Sequence, residues 1–241
     1  MNFARFRLTL RVVALKKEGF KKEFLVEVRG PLGDEEFALL AKQLAARGSF
    51  IGDFDRFLID CSSCRDSSEE FDLRVRVTNG EPELVISVCH EKSKPQAPVT
   101  ARREISVKLQ PKQMDEMIHF LTLVGYERGY LCERRIQAFA FKGIDFLLVS
   151  VPGHSKFFEA RKLAFNDKEI PAARKQIGAV LEELGLREFS EKEYYSYVEE
   201  LRRNVDGFFN FKDYKPGTLE KYLGETVRFK KIGGRADRLS G

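Results

Sequence analysis

Arginine recurs at alternate positions in Asp72-Leu73-Arg74-Val75-Arg76-Val77-Thr78. A similar rhythm returns in Arg102-Arg103-Glu104-Ile105-Ser106-Val107-Lys108 and in Glu27-Val28-Arg29. In an extended chain every second side chain points the same way. One face of the first segment therefore collects Asp72, Arg74, Arg76 and Thr78, and the other collects Leu73, Val75 and Val77. In the second, Arg102, Glu104, Ser106 and Lys108 oppose Arg103, Ile105, Val107 and Leu109. Guanidinium groups in such rows suit phosphate, whose oxygens a planar fork binds two at a time. A minority of carboxylates among them suits a hard divalent ion bridging protein to phosphate. A solvated sheet face with paired charges gives the same alternation. The combination sets these strands apart: several carry two charges on one face and a strongly apolar opposite face. A closed barrel with a polar lumen accommodates both.

The elements that must position these residues can be read from periodicity. Residues 23–29 read as a strand broken by Gly30-Pro31-Leu32-Gly33, and 34–47 as an amphipathic helix with Asp34 as its N-cap. Residues 55–60 read as a strand. Asn79-Gly80 signals a hairpin between strands 71–78 and 83–89, and 102–109 alternates again. The second half follows a similar layout: a helix over 112–124, strands over 131–141, 144–151 and 156–165, and a helix over 171–184. The chain thus reads as two pseudo-repeats, about 23–109 and 110–204, inside one domain over 23–204. Residues 1–22 are expected as a basic arm or strand, and 205–241 as a partly mobile extension with a basic, solvated tail.

The segment 72–86 followed by Arg102-Arg-Glu104-Ile-Ser-Val-Lys108 resembles the CYTH, or triphosphate tunnel, family. So do Glu27-Val-Arg29, the turn and strand Val151-Pro-Gly-His-Ser-Lys-Phe-Phe-Glu159, and the segment running from Leu184 through Tyr194 to Leu201. The resemblance spans about 23–201. It implies an α+β fold in which an eight-stranded antiparallel β-barrel, or tunnel, is flanked by helices. It also implies a triphosphate held by Arg and Lys, and Mg²⁺ or Mn²⁺ held by Glu. On that basis the anion falls to Arg29, Arg56, Arg74, Arg76, Arg102, Lys108, Arg134 and Arg135. Metal binding and catalysis fall to Glu27, Glu104 and Glu159. Arg56 has an alternative in a salt bridge to Asp53 or Asp60. The second-half register leaves Arg134, Arg135 and Lys142 open between lumen and surface.

The chain departs from the family pattern. Where the family's first strand reads Glu-x-Glu-x-Lys, this one reads Leu25-Val-Glu27-Val-Arg29, and where a second-half strand reads Glu-x-Glu, it reads Glu159-Ala-Arg161. A Lys falls at Ser87 and an Asp near Val149. One acid survives per motif. The function expected is metal-dependent hydrolysis of an inorganic, nucleoside or other organic triphosphate. A non-catalytic polyphosphate- or nucleotide-binding module is the alternative, and a nucleotidyl cyclase of adenylyl cyclase type the second.

The remaining chemistry-bearing residues read as supporting parts. His90, His119 and His154 fall on loops or helix surfaces. Cys61-Ser-Ser-Cys64 has zinc-knuckle spacing but no second such pair, so it reads as a loop thiol pair. Tyr194, Tyr195 and Tyr197 could stack on a base or cap one mouth, and their helical spacing favours partial core packing. The net charge of +5 over 241 residues is mild; nucleic acid is a possible partner that it does not favour. No uncharged apolar run is long enough to span a bilayer, and the first residues lack the block of a secretory signal. A cytoplasmic protein without a membrane partner is expected.

Overall fold

The structure is a computed structural model and describes residues 23–61, 71–90, 98–204 and 208–223. The expected arm at 1–22, Cys64 and its loop, and the basic tail lie outside these residues. Eight strands run in the chain order β1 (Phe24–Leu32), β2 (Ser49–Asp60), β3 (Phe71–Thr78), β4 (Glu81–Cys89), β5 (Val99–Lys108), β6 (Arg128–Phe141), β7 (Ile144–Val151) and β8 (Ser155–Ala164). Their spatial order is β2-β3-β4-β5-β1-β8-β7-β6, and β6 pairs back onto β2. The eight antiparallel strands therefore close as a ring, with no free edge along it. Four helices flank it: α1 (Asp34–Arg47), α2 (Met114–Leu123), α3 (Ile170–Glu183) and α4 (Glu191–Asn204). None of the described helices is long and apolar enough to cross a membrane.

The outward faces of the strands pack under the helices in two separate cores. Val26, Val28, Phe146, Phe158 and Ala160 meet Leu40 and Leu44 of α1 and Ile177 and Leu181 of α3. Phe57, Ile59, Leu73, Val75 and Val77 meet Met114, Ile118 and Leu121 of α2. Burying each such side chain contributes about 1.5–3 kcal/mol. Two-residue turns carry the hairpins: Asn79 and Gly80 have φ of 50° and 84°, and Lys142 and Gly143 have 51° and 71°, the left-handed pairs that match strand twist.

Several elements differ from the sequence expectation. β1 runs through Gly30-Pro31-Leu32 and pairs with β8 as far as Leu32↔Lys156. The glycine permits this crossing: a Cβ at Gly30 would lie 2.1 Å from the Arg187 carbonyl and 2.4 Å from the Phe158 ring. β2 begins at Ser49 because its first half, irregular between Phe50 and Gly52, pairs with β6. Gly33 rather than Asp34 is the N-cap of α1. The halves are unequal: among the described residues five strands lie in 23–109 and three in 110–204. Beyond α4, Phe208–Asn210 forms a short β9 on the start of β6. Phe209, Phe211 and Leu219 then complete the core under α2.

Candidate functional site

The inward faces of the ring follow from the register. Arg56 and Asp60 on β2 pair with Thr78 and Arg74 on β3, and Asp72 and Arg76 share that face. Across β3/β4, Asp72 pairs with Ser87 and Arg76 with Glu83, and across β4/β5 Ser87 pairs with Glu104. Leu25 pairs with Arg102, and Glu27 and Arg29 pair with Arg161 and Glu159 on β8. Arg134 on β6 stands opposite Arg56. The alternating rows thus converge on one lumen, as the sequence reading expects.

Glu27 is fully buried at its centre. Arg102 donates to both its oxygens, Nη1 to Oε1 at 3.3 Å and Nη2 to Oε2 at 3.2 Å. Arg29 pairs with Oε1, and Arg161 Nε lies 2.6 Å from Oε2. Glu159, 2% exposed, is held likewise: Arg161 Nη2 donates to Oε2, and Arg29 Nε and Arg134 Nη1 lie 3.5 and 3.6 Å from Oε1. Glu104 accepts from Arg102 Nε at 3.1 Å and Ser87 Oγ at 3.4 Å, with Arg76 Nη1 at 3.7 Å. Burial alone would raise these carboxyls, yet the surrounding guanidiniums hold all three below the ordinary range: Arg102, Arg29 and Arg161 for Glu27, Arg102 and Arg76 for Glu104, Arg161 and Arg29 for Glu159.

Arg56 is compensated differently. Its Nε donates to Thr78 Oγ1 at 3.2 Å, and among the described residues no carboxylate pairs with it. Burial, reinforced by Arg76 and Arg161 and only partly opposed by Glu159, pushes its pKa down to about 9; Arg134 adds to the effect. A guanidinium stays protonated at neutral pH regardless, so Arg56 remains a cation in the lumen. Among the described residues the buried Nε–H groups of Arg74, Arg103, Arg134 and Arg161 make no hydrogen bond; Arg161 Nε meets Glu27 as an ion pair outside hydrogen-bond geometry.

Two cavities open here. One is lined by Arg29, Arg74 and Arg134 together with Tyr130, Phe157, Tyr194 and Tyr197. The other is lined by Arg56, Arg134, Arg135 and Tyr222. Arg134 stands between them. Helix α4 roofs the first. Ser190 and Glu193 form its capping box: Ser190 N–H donates to Glu193 at 2.8 Å and Glu193 N–H to Ser190 Oγ at 3.2 Å. Phe189 N–H donates to Arg29 O at 3.0 Å, which sets the helix over the ring. Below it Leu58, Cys132, Ile136, Val149, Val151 and Phe157 fill that part of the interior with apolar side chains. Tyr194 Oη accepts from Arg29 Nη1 at 3.0 Å, and Tyr197 Oη accepts from Ser155 Oγ at 3.2 Å, with burial pushing the Tyr197 phenol up to about 12.

Of the anion-binding residues expected from sequence, Arg29, Arg56, Arg74, Arg76, Arg102 and Arg134 come together inside the ring. Lys108 ends β5 in solvent, 83% exposed and 3.7 Å from Glu81. Arg135 points out of the ring, exposed, because alternation on β6 gives the lumen to Arg134. Lys142 sits in an exposed turn, bound to Glu183. Sequence reading took Arg161 only as a lost acid; its place two residues beyond Glu159 on the same face was the available signal. His119 is exposed, and Cys61 is buried among the apolar residues under α2.

The donor set does not fit a resident Mg²⁺ or Mn²⁺. Among the described residues no three His, Cys, Asp or Glu side chains cluster as metal ligands. Every carboxylate oxygen of Glu27 and Glu159 already faces a guanidinium. A hard cation needs those oxygens at about 2.0–2.2 Å for itself.

No family model matches the chain, and no curated protein matches it. Solved structures do. The PH1819 protein from Pyrococcus horikoshii OT3 aligns with a TM-score of 0.59 and 26% identity, over 74% of this chain and 99% of that one. The PH1012 protein from the same organism aligns at 0.56 and 18%, over 73% and 98%. A putative adenylate cyclase from Vibrio parahaemolyticus aligns at 0.52 and 16%, over 72% and 98%. The fold of this chain is therefore shared with these proteins across nearly their whole length.

Proposed function

We propose that the ring is a binding module for a polyphosphate-bearing anion, held in the lumen by arginine. The observation that carries this reading is the charge at Arg56, which has no carboxylate partner among the described residues: it stands opposite Arg134 across β2/β6, its side chain donates to a neutral hydroxyl, and Arg76 and Arg161 add like charge. Like charges directly opposite on a sheet are unfavourable until an anion lies between them. Arg74 and Arg134 are ion-paired to Asp72 and Glu159, and each keeps a buried Nε–H that makes no hydrogen bond among the described residues, a further donor for an anion. The cavity turns three guanidiniums, Arg29, Arg74 and Arg134, toward a phosphate chain, and the tyrosines beside it suit a ring-bearing ligand such as a nucleotide. Metal-dependent hydrolysis, the activity the family resemblance implies, needs carboxylates open to a cation, and here arginines occupy them.

Thermal shift with tripolyphosphate, a nucleoside triphosphate panel and orthophosphate tests this reading. Tripolyphosphate is expected to raise the melting temperature, with the rise lost in an Arg56→Met/Arg134→Met double variant, and no phosphate is expected to be released with Mg²⁺ or Mn²⁺. Absence of any shift would sink the binding reading. Phosphate release that Arg74→Ala/Arg76→Ala abolishes would make the chain a hydrolase instead.

A further inference from the structure

We propose that Arg161 is a built-in substitute for a divalent cation, so that polyphosphate enters this lumen without a metal held by the protein. The inference rests on the polyphosphate reading and deepens it. Two buried carboxylates, Glu27 at 0% and Glu159 at 2% exposure, stand on adjacent strands, in register with Arg161 and Arg29. Two such anions in a low-dielectric interior require a cation between them. Arg161 is that cation: its Nε is 2.6 Å from Glu27 Oε2 and its Nη2 donates to Glu159 Oε2. One planar guanidinium therefore ties the two carboxylates together.

The charge balance agrees. In the family pattern that Glu159-Ala-Arg161 resembles, position 161 carries a carboxylate. A carboxylate with a bound divalent ion has the same net charge, one positive unit, as a lone guanidinium. At this position the exchange leaves the net charge as it would be with metal present, and it removes the ligand that would hold the metal. Arg161 remains 18% exposed, so one side of it still faces the lumen and an incoming phosphate. Arg29, Arg102 and Arg134 take the remaining oxygens, which closes the pair to any cation from solution.

The test uses the full chain. Tripolyphosphate binding is measured by calorimetry in EDTA and in Mg²⁺, and Mn²⁺ alone is titrated into unliganded protein with free Mn²⁺ read by electron paramagnetic resonance. Affinity in EDTA is expected to match or exceed that in Mg²⁺, and the unmutated protein is expected to leave Mn²⁺ free. An Arg161→Glu variant is expected to take up about one Mn²⁺ per chain. Binding of tripolyphosphate only in Mg²⁺ would overturn the inference and spare the polyphosphate reading; no binding in either buffer would overturn the reading itself. Depletion of Mn²⁺ by the unmutated protein, or a folded Arg161→Glu chain that takes up none, also overturns the inference. Should that variant fail to fold, the two measurements on the unmutated protein decide.

Discussion

Glu27 and Arg56 face the same lumen and are compensated in opposite ways. Glu27, on β1, receives guanidinium groups from its own strand, from β5 and from β8. Arg56, on β2, receives one hydroxyl and stands opposite a second arginine. The difference follows from where the carboxylates stand. The two fully enclosed acids, Glu27 and Glu159, lie side by side on β1 and β8, so they draw Arg29, Arg102 and Arg161 toward them and leave Arg56 on β2 without an acid partner among the described residues. The net charge of the lumen as a whole therefore says little about any point within it. One wall is already a folded ion-pair network, and the other waits for an anion.

Breaking the comparison at its compensated end should have the largest effect. Glu27→Gln leaves three arginines around a neutral amide, and removing one partner of a buried ion pair typically costs about 3–5 kcal/mol. Chemical denaturation of the unliganded protein checks this; a loss under about 1 kcal/mol would mean the arginines find other partners. Acid titration probes the same wall. The folded pKa values of Glu27, Glu104 and Glu159 lie below their unfolded values, near 4.3 for a glutamate. The stability they contribute is thus present above that range and is lost as pH falls through the lower folded values. Melting temperature should stay level from pH 7 to about 5 and drop steeply below 4. In Glu27→Gln the drop should be shallower.

At the uncompensated end the sign reverses. Arg56→Met removes a half-buried cation that has no acid partner among the described residues, and it keeps an unbranched apolar stem. Unliganded stability should hold or rise by about 1 kcal/mol, since replacing poorly paired buried charge by apolar volume is neutral or favourable. Tripolyphosphate affinity should fall by about ten- to a hundredfold, the worth of a charge-assisted hydrogen bond. A variant that is both less stable and equally good at binding would erase the distinction between the two walls.

How much of this could be read in the sequence depended on the length over which a pattern ran. The alternation in 71–78 gave β3 to the residue and placed Arg74 and Arg76 on the inner face, because a half-buried strand repeats every two residues. The apolar stripe of 34–47 gave α1 for the same kind of reason. The first half of β2 was hidden, because Ser49-Phe-Ile-Gly-Asp does not alternate and is held by pairing with β6. β9 was hidden in a segment whose three strand residues owe their shape to β6 and to the core under α2. Arg135 and Arg134 could not be separated without knowing the register of β6, since a shift of one residue exchanges the faces. Arg161 was visible as a letter but not as a bridge. Its role depends on β8 lying beside β1, a neighbour relation between strands more than 120 residues apart.

Tyr194 offers the finest way to sharpen the comparison, because it touches the compensated wall without carrying charge. Arg29 Nη1 donates to its hydroxyl at 3.0 Å, and the guanidinium carbon lies 5.4 Å from its ring centroid. Tyr194→Phe removes the acceptor and keeps the ring, so Arg29 retains Glu27 and Glu159 and the ring retains its packing on Phe189 and on Tyr197 of the same helix. The expected cost is about 0.5–1.5 kcal/mol by chemical denaturation, that of one hydrogen bond, with the acid limb unchanged because no carboxylate loses a partner. A larger loss together with a changed acid limb would mean that Arg29 is positioned from α4 rather than by the two glutamates. The compensated wall would then extend into the roof of the cavity, and ligand entry past α4 would have to disturb the ion-pair network it now leaves alone.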